Sequence, residues 1–188
     1  MMEAILRREI VVNKSACRII GVVTFVILIS LGAFVRIPLP FTPVPITLQT
    51  FFVLLSGAVL GGALGAASQM GYLLLGTSGL PIFTNAGYGI AHLLGPTGGY
   101  ILGFIFSSMF IAKYVRSSRN FLSVVLVFCL GDFIILSCGV IWLKVILGYS
   151  LPKLLLIGFL PFIPGDLAKA LAAALVYLRV KNRVRKIF

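Results

Sequence analysis

Long apolar stretches alternate with short polar segments along most of the chain. A helix needs about 20 apolar residues to cross the hydrocarbon core of a bilayer, so these stretches predict membrane-spanning helices. Six spans are predicted, over residues 19–35, 48–60, 63–76, 99–115, 121–143 and 154–178. The pattern leaves no room for a separate soluble domain. We therefore expect residues 1–188 to form a single all-α, membrane-embedded domain with six transmembrane helices.

Proline and glycine mark the breaks between the apolar stretches. Four prolines in residues 38–45 predict an extended loop after the first span. The apolar run 48–75 is too long for one ordinary span, and the cluster GGALGAA at 61–67 supplies the turn that divides it. Pro161 and Pro164 predict a bend or an interruption within the last span.

A second loop, residues 77–100, is rich in Gly, Pro, Thr and Asn. It is too polar to span a membrane and longer than a simple connection between helices. Glycine-rich loops allow the backbone to approach a ligand closely. This glycine-rich loop and the proline-rich loop are therefore candidates for one side of a binding site.

Composition and charge placement indicate the orientation. Hydrophobic residues make up 60% of the 188 residues and charged residues 11%, as is typical of an integral membrane protein. Most of the 16 Lys and Arg residues lie in the terminal segments and near the end of the fourth span. With six spans these segments share one side, so both termini are expected in the cytoplasm of a multi-pass protein of the cytoplasmic (inner) membrane. The two loops then face outward, and a ligand pocket is expected near the extracellular side.

The net charge of +12 also raises the question of a nucleic-acid partner. The basic residues lie in short tracts beside apolar runs, and the chain has no aromatic-rich soluble module for RNA or DNA. Membrane lipid is therefore the expected surrounding, and no nucleic acid is expected as a partner.

Two charged residues lie deep within the last predicted span. Asp166 and Lys169 are three residues apart and so share one face of a helix. Counted from the basic end of the span at ~1.5 Å per residue, they lie about 20 Å and 15 Å into the membrane. Charges at that depth need partners or a polar cavity, which makes this pair the first candidate for a binding site. The alternative is that Asp166 caps a helix beginning after Pro164 and pairs with Lys169.

Other polar residues are possible members of the site, each with a structural alternative. Gln49 and Asn85 belong to the outward side, where an amide can both donate and accept hydrogen bonds. Gln49 alternatively bonds to a neighbouring helix, and Asn85 to turn backbone. Asp132, in the fifth span, can reach the layer of Lys169. It is either a ligand group or a structural residue, as a partner for Lys169 or a polar packing residue.

The sequence lacks the motifs and residue sets that catalysis would need. The segment GPTGGY lacks the lysine followed by Ser or Thr that ends a phosphate-binding loop. A single histidine, His92, excludes a His-rich metal site. Four carboxylates are too few for a two-metal transferase. We expect no metal, no cofactor and no enzymatic activity. An intramembrane enzyme using Asp132, Asp166 and His92 is the alternative from another class.

Four sequence blocks resemble those of the BioY biotin-uptake proteins, the substrate-binding S components of energy-coupling factor (ECF) transporters. The blocks are PLPFTPVPITLQTF (39–52), GLPIFTNAGYG (79–89), LLGPTGGYILGF (93–104) and PFIPGDLAKALAAAL (161–175). The resemblance implies a six-helix fold, a biotin pocket under the outward loops and no enzymatic activity. Another small vitamin-like molecule is the alternative ligand.

The resemblance also implies which residues bind the polar end of biotin. The family's aspartate and lysine match Asp166 and Lys169, and its asparagine matches Asn85. Gln49 is expected beside them because of its amide and its place on the outward side, and not from the resemblance. The ureido ring of biotin offers two N–H donors and one carbonyl acceptor. An acid, an amide and an ammonium can satisfy these groups.

The remainder of the ligand is apolar apart from its carboxylate. Tyr100, with Phe83 and Trp142, is expected to provide walls for the thiophane ring and valeryl chain. Arg36 or Lys153 is expected to meet the carboxylate at the mouth of the pocket.

A coupling module, made of a transmembrane subunit and two ATPases, is the protein partner that the resemblance implies, although some members of the family work alone. Such S components carry alanines at small-x-x-x-small spacing on the first helix. Here Ala16 is followed by Ile20, and Cys17 with Gly21 is the better small pair, so docking would need a shifted register. Self-association as a homo-oligomer is left open.

Overall fold

Helices dominate the computed structural model, which describes residues 14–118 and 120–187. In chain order they are α1 (Lys14–Phe34), α2 (Gln49–Leu60), α3 (Gly62–Thr77), α4 (Gly89–Leu93), α5 (Gly98–Val115), α6 (Phe121–Leu147), α7 (Leu151–Gly158) and α8 (Ile163–Ile187). Short 3-10 turns lie at Thr84–Ala86 and Leu160–Phe162. Two short strands, β1 (Arg36–Ile37) and β2 (Ile46–Thr47), pair antiparallel at the base of the proline-rich loop.

Four segments of the described chain are long and apolar enough to cross a membrane. They are Lys14–Phe34, Gly98–Val115, Phe121–Leu147 and Leu151–Val184. Helices α2 and α3 have 12 and 16 residues and are shorter than the ~20 residues of an ordinary span. The all-α prediction is confirmed, while the number of six spans stays a prediction.

The helix breaks follow the proline and glycine positions. Gly61 separates α2 from α3 with a φ of +85°, a backbone conformation that favours glycine. In the last span, α7 ends at Gly158 and a 3-10 turn containing Pro161 leads into α8. The predicted interruption of this span is therefore present. Helix α1 includes Lys14 and so extends from the predicted apolar span into the polar N-terminal segment.

Four helices surround the site described below. Helix α8 packs against α2 and α6, and α5 packs against α2, α3 and α6. Small residues allow α5 and α6 to approach closely: a Cβ at Gly103 would lie 3.0 Å from Cα of Ile135. Apolar side chains such as Ile20, Leu122 and Val145 remain exposed on the outside of the bundle, as expected for an integral membrane protein.

Candidate ligand-binding site

A cavity lies among α2, α5, α6 and α8 and is bordered by the proline-rich loop. Of the residues singled out in the sequence, four line it together: Gln49, Tyr100, Asp166 and Lys169. Its volume is about 40 Å³, which is enough for water-sized molecules only. The charged groups lie where α2 meets α8, and apolar side chains of α5 and α6 form much of the remaining wall.

Lys169 is held by three hydrogen-bond acceptors. Its Nζ lies 2.6 Å from Oγ1 of Thr50, 3.0 Å from the backbone oxygen of Thr47 and 2.5 Å from Oδ1 of Asp166. An ammonium group has three N–H donors, so all of them are used. This full set of acceptors compensates the lysine side chain, which is only 12% exposed, for the water that it has lost.

Asp166 lies in the first turn of α8. Its Oδ1 accepts hydrogen bonds from Lys169 and, at 3.4 Å, from the hydroxyl of Thr50. Within residues 14–118 and 120–187, no donor reaches Oδ2, which is therefore available to a ligand. A helix start also favours negative charge, because its free N–H groups carry partial positive charge. The position of Asp166 thus agrees with the helix-start alternative as well as with a ligand role.

Gln49 is fixed in orientation by a buried hydrogen-bond network. Its Nε2 donates to the hydroxyl of Tyr72 at 2.7 Å, and that hydroxyl donates to the backbone oxygen of Ile82 at 3.2 Å. Oε1 of Gln49 accepts from the hydroxyl of Thr47 at 3.4 Å. The network connects α2, α3 and the glycine-rich loop, so the amide is presented to the cavity in a defined way.

Tyr100 belongs to the apolar side of the cavity, and its contact with biotin stays a prediction. Its hydroxyl donates to the backbone oxygen of Gly158 at 2.7 Å, and its ring lies 6.1 Å from that of Phe162. Because the hydroxyl is bonded to the end of α7, the tyrosine offers its ring to the cavity. Phe104 and Leu136 complete this side.

Asn85 and Arg36 do not line the cavity. Asn85 is exposed and has a φ of +62°, a left-handed conformation that asparagine tolerates better than most residues. Arg36 is exposed on β1, where it pairs with Thr47. Their roles as ligand groups stay predictions.

The other expected wall and mouth residues also lie outside the cavity lining. Phe83 is fully buried against Tyr72, and Nε1 of Trp142 donates to the backbone oxygen of Gly95 at 3.0 Å. Nζ of Lys153 lies 3.6 Å from the centre of the Tyr149 ring.

His92 has a structural environment. Its ring stacks on Phe83 with centroids 5.1 Å apart, and its Nε2 lies 3.4 Å from Oγ1 of Thr84 and 3.3 Å from Oγ1 of Thr97. Burial lowers the pKa of His92 from its usual value. In the described part of the chain, no three His, Cys, Asp or Glu side chains are grouped so as to hold a metal ion.

Two polar residues of the site, Thr50 and Tyr72, were missed in the sequence. Thr50 contacts both charges, and its position beside Gln49 at the start of an apolar run was a usable signal. Tyr72 lies within MGYLLLG, where nothing distinguishes a hydrogen-bonded tyrosine from one at the membrane interface.

Asp132 and Asp166 both line a second space, a groove of about 230 Å³ between α6 and α8. Asp132 is 4% exposed, and in the described residues neither of its carboxyl oxygens has a hydrogen-bond partner. Asp166 and Lys169 are close enough to interact with it electrostatically. It reaches the neighbourhood of the charged pair but is not bonded to Lys169.

Comparison with known proteins places this architecture. The model of the BioY family matches residues 7–186. A probable biotin transporter BioY of Pyrococcus horikoshii is 41% identical over 161 residues, which cover 86% of this chain and 94% of that protein. The biotin transporter BioY of Thermotoga maritima is 41% identical over 158 residues, which cover 84% of this chain and 92% of that protein.

A solved structure agrees with these relatives. The crystal structure of the S-component for biotin from an ECF-type ABC transporter superposes on this fold with a TM-score of 0.85 at 29% identity. The match covers 91% of this chain and 94% of that chain. With nearly the whole sequence matched by the family model, the chain belongs to the BioY family.

Proposed function

We propose that the chain binds biotin in the cavity among α2, α5, α6 and α8 and takes it up across the cytoplasmic membrane. The two relatives described above are a probable biotin transporter and a biotin transporter, and the match spans more than nine-tenths of each. The observation that carries the proposal is the buried Asp166–Lys169 pair in the cavity wall. The family is one of transporters, so the alternative of an intramembrane enzyme is set aside.

The polar groups of the cavity suit a ureido ring. Oδ2 of Asp166 accepts one ureido N–H, and Lys169 donates to the carbonyl oxygen after exchanging its bond with the Thr47 backbone. Gln49 borders the same space and can bond to the remaining polar edge. The ring of Tyr100 packs against the apolar part of the ligand.

Biotin enters this site only when its walls move apart. Sites for small organic ligands commonly enclose ~300–1,000 Å³, whereas this cavity has about 40 Å³. Val44 and Pro45 of the proline-rich loop border it together with Thr47 of β2, and two residue pairs between β1 and β2 close the base of this loop. Displacement of the loop admits the ligand, and its return brings Arg36 toward the biotin carboxylate. Asn85 approaches from the glycine-rich loop.

The membrane topology follows from the same arrangement. We take residues 1–188 as one domain, with α1, α2, α3, α5, α6 and the pair α7–α8 as six spans and both termini in the cytoplasm. Apolar α2 and α3 share the single junction residue Gly61, in agreement with two short spans. Basic residues at the ends of α5 and α8 support the orientation.

As an S component, the chain docks on a coupling module of one transmembrane subunit and two ATPases. The expected contact is α1, where Ile20 is 64% exposed and the small pair Cys17 and Gly21 is partly exposed. This face is accessible to a helix of the transmembrane subunit.

Uptake of labelled biotin tests the function in a host that lacks its own biotin transporter. We expect uptake that excess unlabelled biotin abolishes, measured with and without a co-expressed coupling module. Uptake without the module identifies a solitary transporter. Failure of the purified protein to bind biotin, together with binding of another vitamin, contradicts the proposal and favours the alternative ligand.

A further inference from the structure

Asp132 is a buried carboxyl group that does not line the ligand cavity. In the part of the chain that the structure describes, both of its oxygens are buried and neither meets a hydrogen-bond donor. An ionised carboxylate without partners is expensive in a membrane interior. Asp166, by contrast, has Lys169 and Thr50 as donors.

The space beside Asp132 is apolar. Asp132 and Asp166 line a groove of about 230 Å³ together with Phe133, Phe159 and Leu167 among other apolar residues. Asp166 also lines the ligand cavity, so it lies between the two spaces. Among the described residues that line this groove there is no cation, and the nearby Lys169 belongs to the ligand cavity.

The titratable groups around Asp132 are few in the described residues. Helix α8 contributes Asp166 and Lys169, and α6 itself contributes Cys129. Tyr100 of α5 uses its hydroxyl on the backbone of α7, and neither α2 nor α7 places an ionisable side chain in the groove. All three donors of Lys169 are already bonded elsewhere.

We propose that Asp132 is a proton-binding site and that its protonation state sets the affinity of the cavity for its ligand. With Asp132 protonated, the group formed by Asp132, Asp166 and Lys169 is electrically neutral. Loss of the proton creates a second carboxylate that competes with Asp166 for Lys169. Since Lys169 belongs to the wall of the ligand cavity, ligand affinity falls as the pH rises and Asp132 ionises.

The protonation can be observed without any ligand. Asp132 and Asp166 are the two aspartates of the sequence, so ¹³C-labelling of aspartate side-chain carboxyls gives two signals. In infrared spectra of the labelled protein in lipid vesicles near neutral pH, we expect one carboxylic acid and one carboxylate. Asp132→Asn removes the acid signal, and Asp132→Ser serves the same purpose if the amide variant does not fold. Two carboxylates in the wild type, or an acid signal that persists in the variant, overturns the proposal.

The linkage to ligand binding rests on the proposed function and has its own measurement. Biotin affinity of the purified protein is measured from about pH 6 to pH 9. One linked proton gives the wild type an affinity loss approaching tenfold per pH unit once Asp132 ionises, while Asp132→Asn stays nearly constant. Equal pH dependence in both proteins refutes the linkage. If neither protein binds biotin at any pH, the proposed function fails, and the spectra still decide whether Asp132 holds a proton.

Discussion

The hydroxyl of Thr50 accepts a hydrogen bond from Nζ of Lys169 at 2.6 Å, and so joins the start of α2 to α8. The same hydroxyl lies 3.4 Å from Oδ1 of Asp166, so it contacts both members of the ion pair. The charged pair is thereby fixed to a helix more than a hundred residues earlier in the chain. Thr50 is an uncharged residue on which the geometry of two charges depends.

Replacing Thr50 with valine keeps its shape but removes this contact. A hydrogen bond to a charged group contributes about 1.5–3 kcal/mol, so we expect biotin affinity to fall roughly tenfold or more. Equilibrium binding to purified protein measures the change. Thr50→Ser keeps the hydroxyl and should retain most of the affinity. A loss in Thr50→Ser as large as that in Thr50→Val would contradict the assignment of the effect to the hydrogen bond.

Asp166→Asn should weaken biotin binding more than Asp132→Asn does. The first change removes the anion paired with Lys169, and breaking a buried pair costs about 3–5 kcal/mol. The second replaces a carboxyl that makes no hydrogen bond in the described residues. Binding isotherms of the two folded variants, with unfolding temperatures as a control, make the comparison. Equal or reversed losses would contradict the assignment of Asp166 to the site.

Tyr72→Phe should lower the stability of the protein by about 1–3 kcal/mol, because it leaves the buried amide of Gln49 without its acceptor. Thermal unfolding in detergent provides the measurement. Tyr177 is a matched control: it is also buried, but within the described residues its hydroxyl makes no hydrogen bond. We expect Tyr177→Phe to change stability by no more than about 0.5 kcal/mol. A larger loss in the control than in Tyr72→Phe would rule out the network as the cause.

Stability should fall on mild acidification because of His92. Burial lowers the pKa of His92 in the folded protein, so the unfolded chain binds the proton more readily. The stabilisation is complete above the unfolded value of about 6.5 and is lost as the pH falls through it toward the folded pKa. Unfolding temperatures between pH 5 and 8 test this, and His92→Gln should lack the step. His92→Ala should keep biotin uptake, whereas abolished uptake would revive a catalytic or ligand role.

Gly61→Ala should destabilise the protein by about 1–3 kcal/mol, since Gly61 has a φ of +85° and a ψ of 178°, a backbone conformation that residues with a Cβ rarely adopt. Gly62 is the control, because it begins α3 and, among the described residues, a Cβ there would meet Ala112 alone, at 3.9 Å. Unfolding temperatures of the two variants give the difference. Similar values would mean that the turn does not require glycine.

Much of the fold could be predicted because its breaks are local. Proline lacks an N–H group and glycine tolerates positive φ, so the turn at Gly61 and the interruption at Pro161 are encoded where they occur. The helix ends beyond the apolar runs were less predictable. Helix α1 continues to Lys14 because helical backbone bonds do not stop where the apolar sequence does.

The site was predictable where residues are unusual for a membrane and unpredictable where they are ordinary. Charges such as Asp166 and Lys169 are conspicuous in an apolar helix. Thr50 and Tyr72 are common in membrane proteins, and their importance arises only from contacts across the bundle. Asn85 lies on an exposed turn, and sequence position cannot tell whether a ligand draws it inward.

The charged pair within the last span has a consequence for biogenesis. Charged residues at the centre of a helix disfavour translocon insertion by about 2.5–3.5 kcal/mol each, and each Leu offsets only about 0.3–0.6 kcal/mol. The last span, formed by α7 and α8, carries such a pair near its centre, and Thr47 and Thr50, the partners of Lys169, are synthesised 122 and 119 residues before it. We therefore expect the N-terminal helices to be integrated first and to act as the template on which the final hydrophobic segment leaves the translocon.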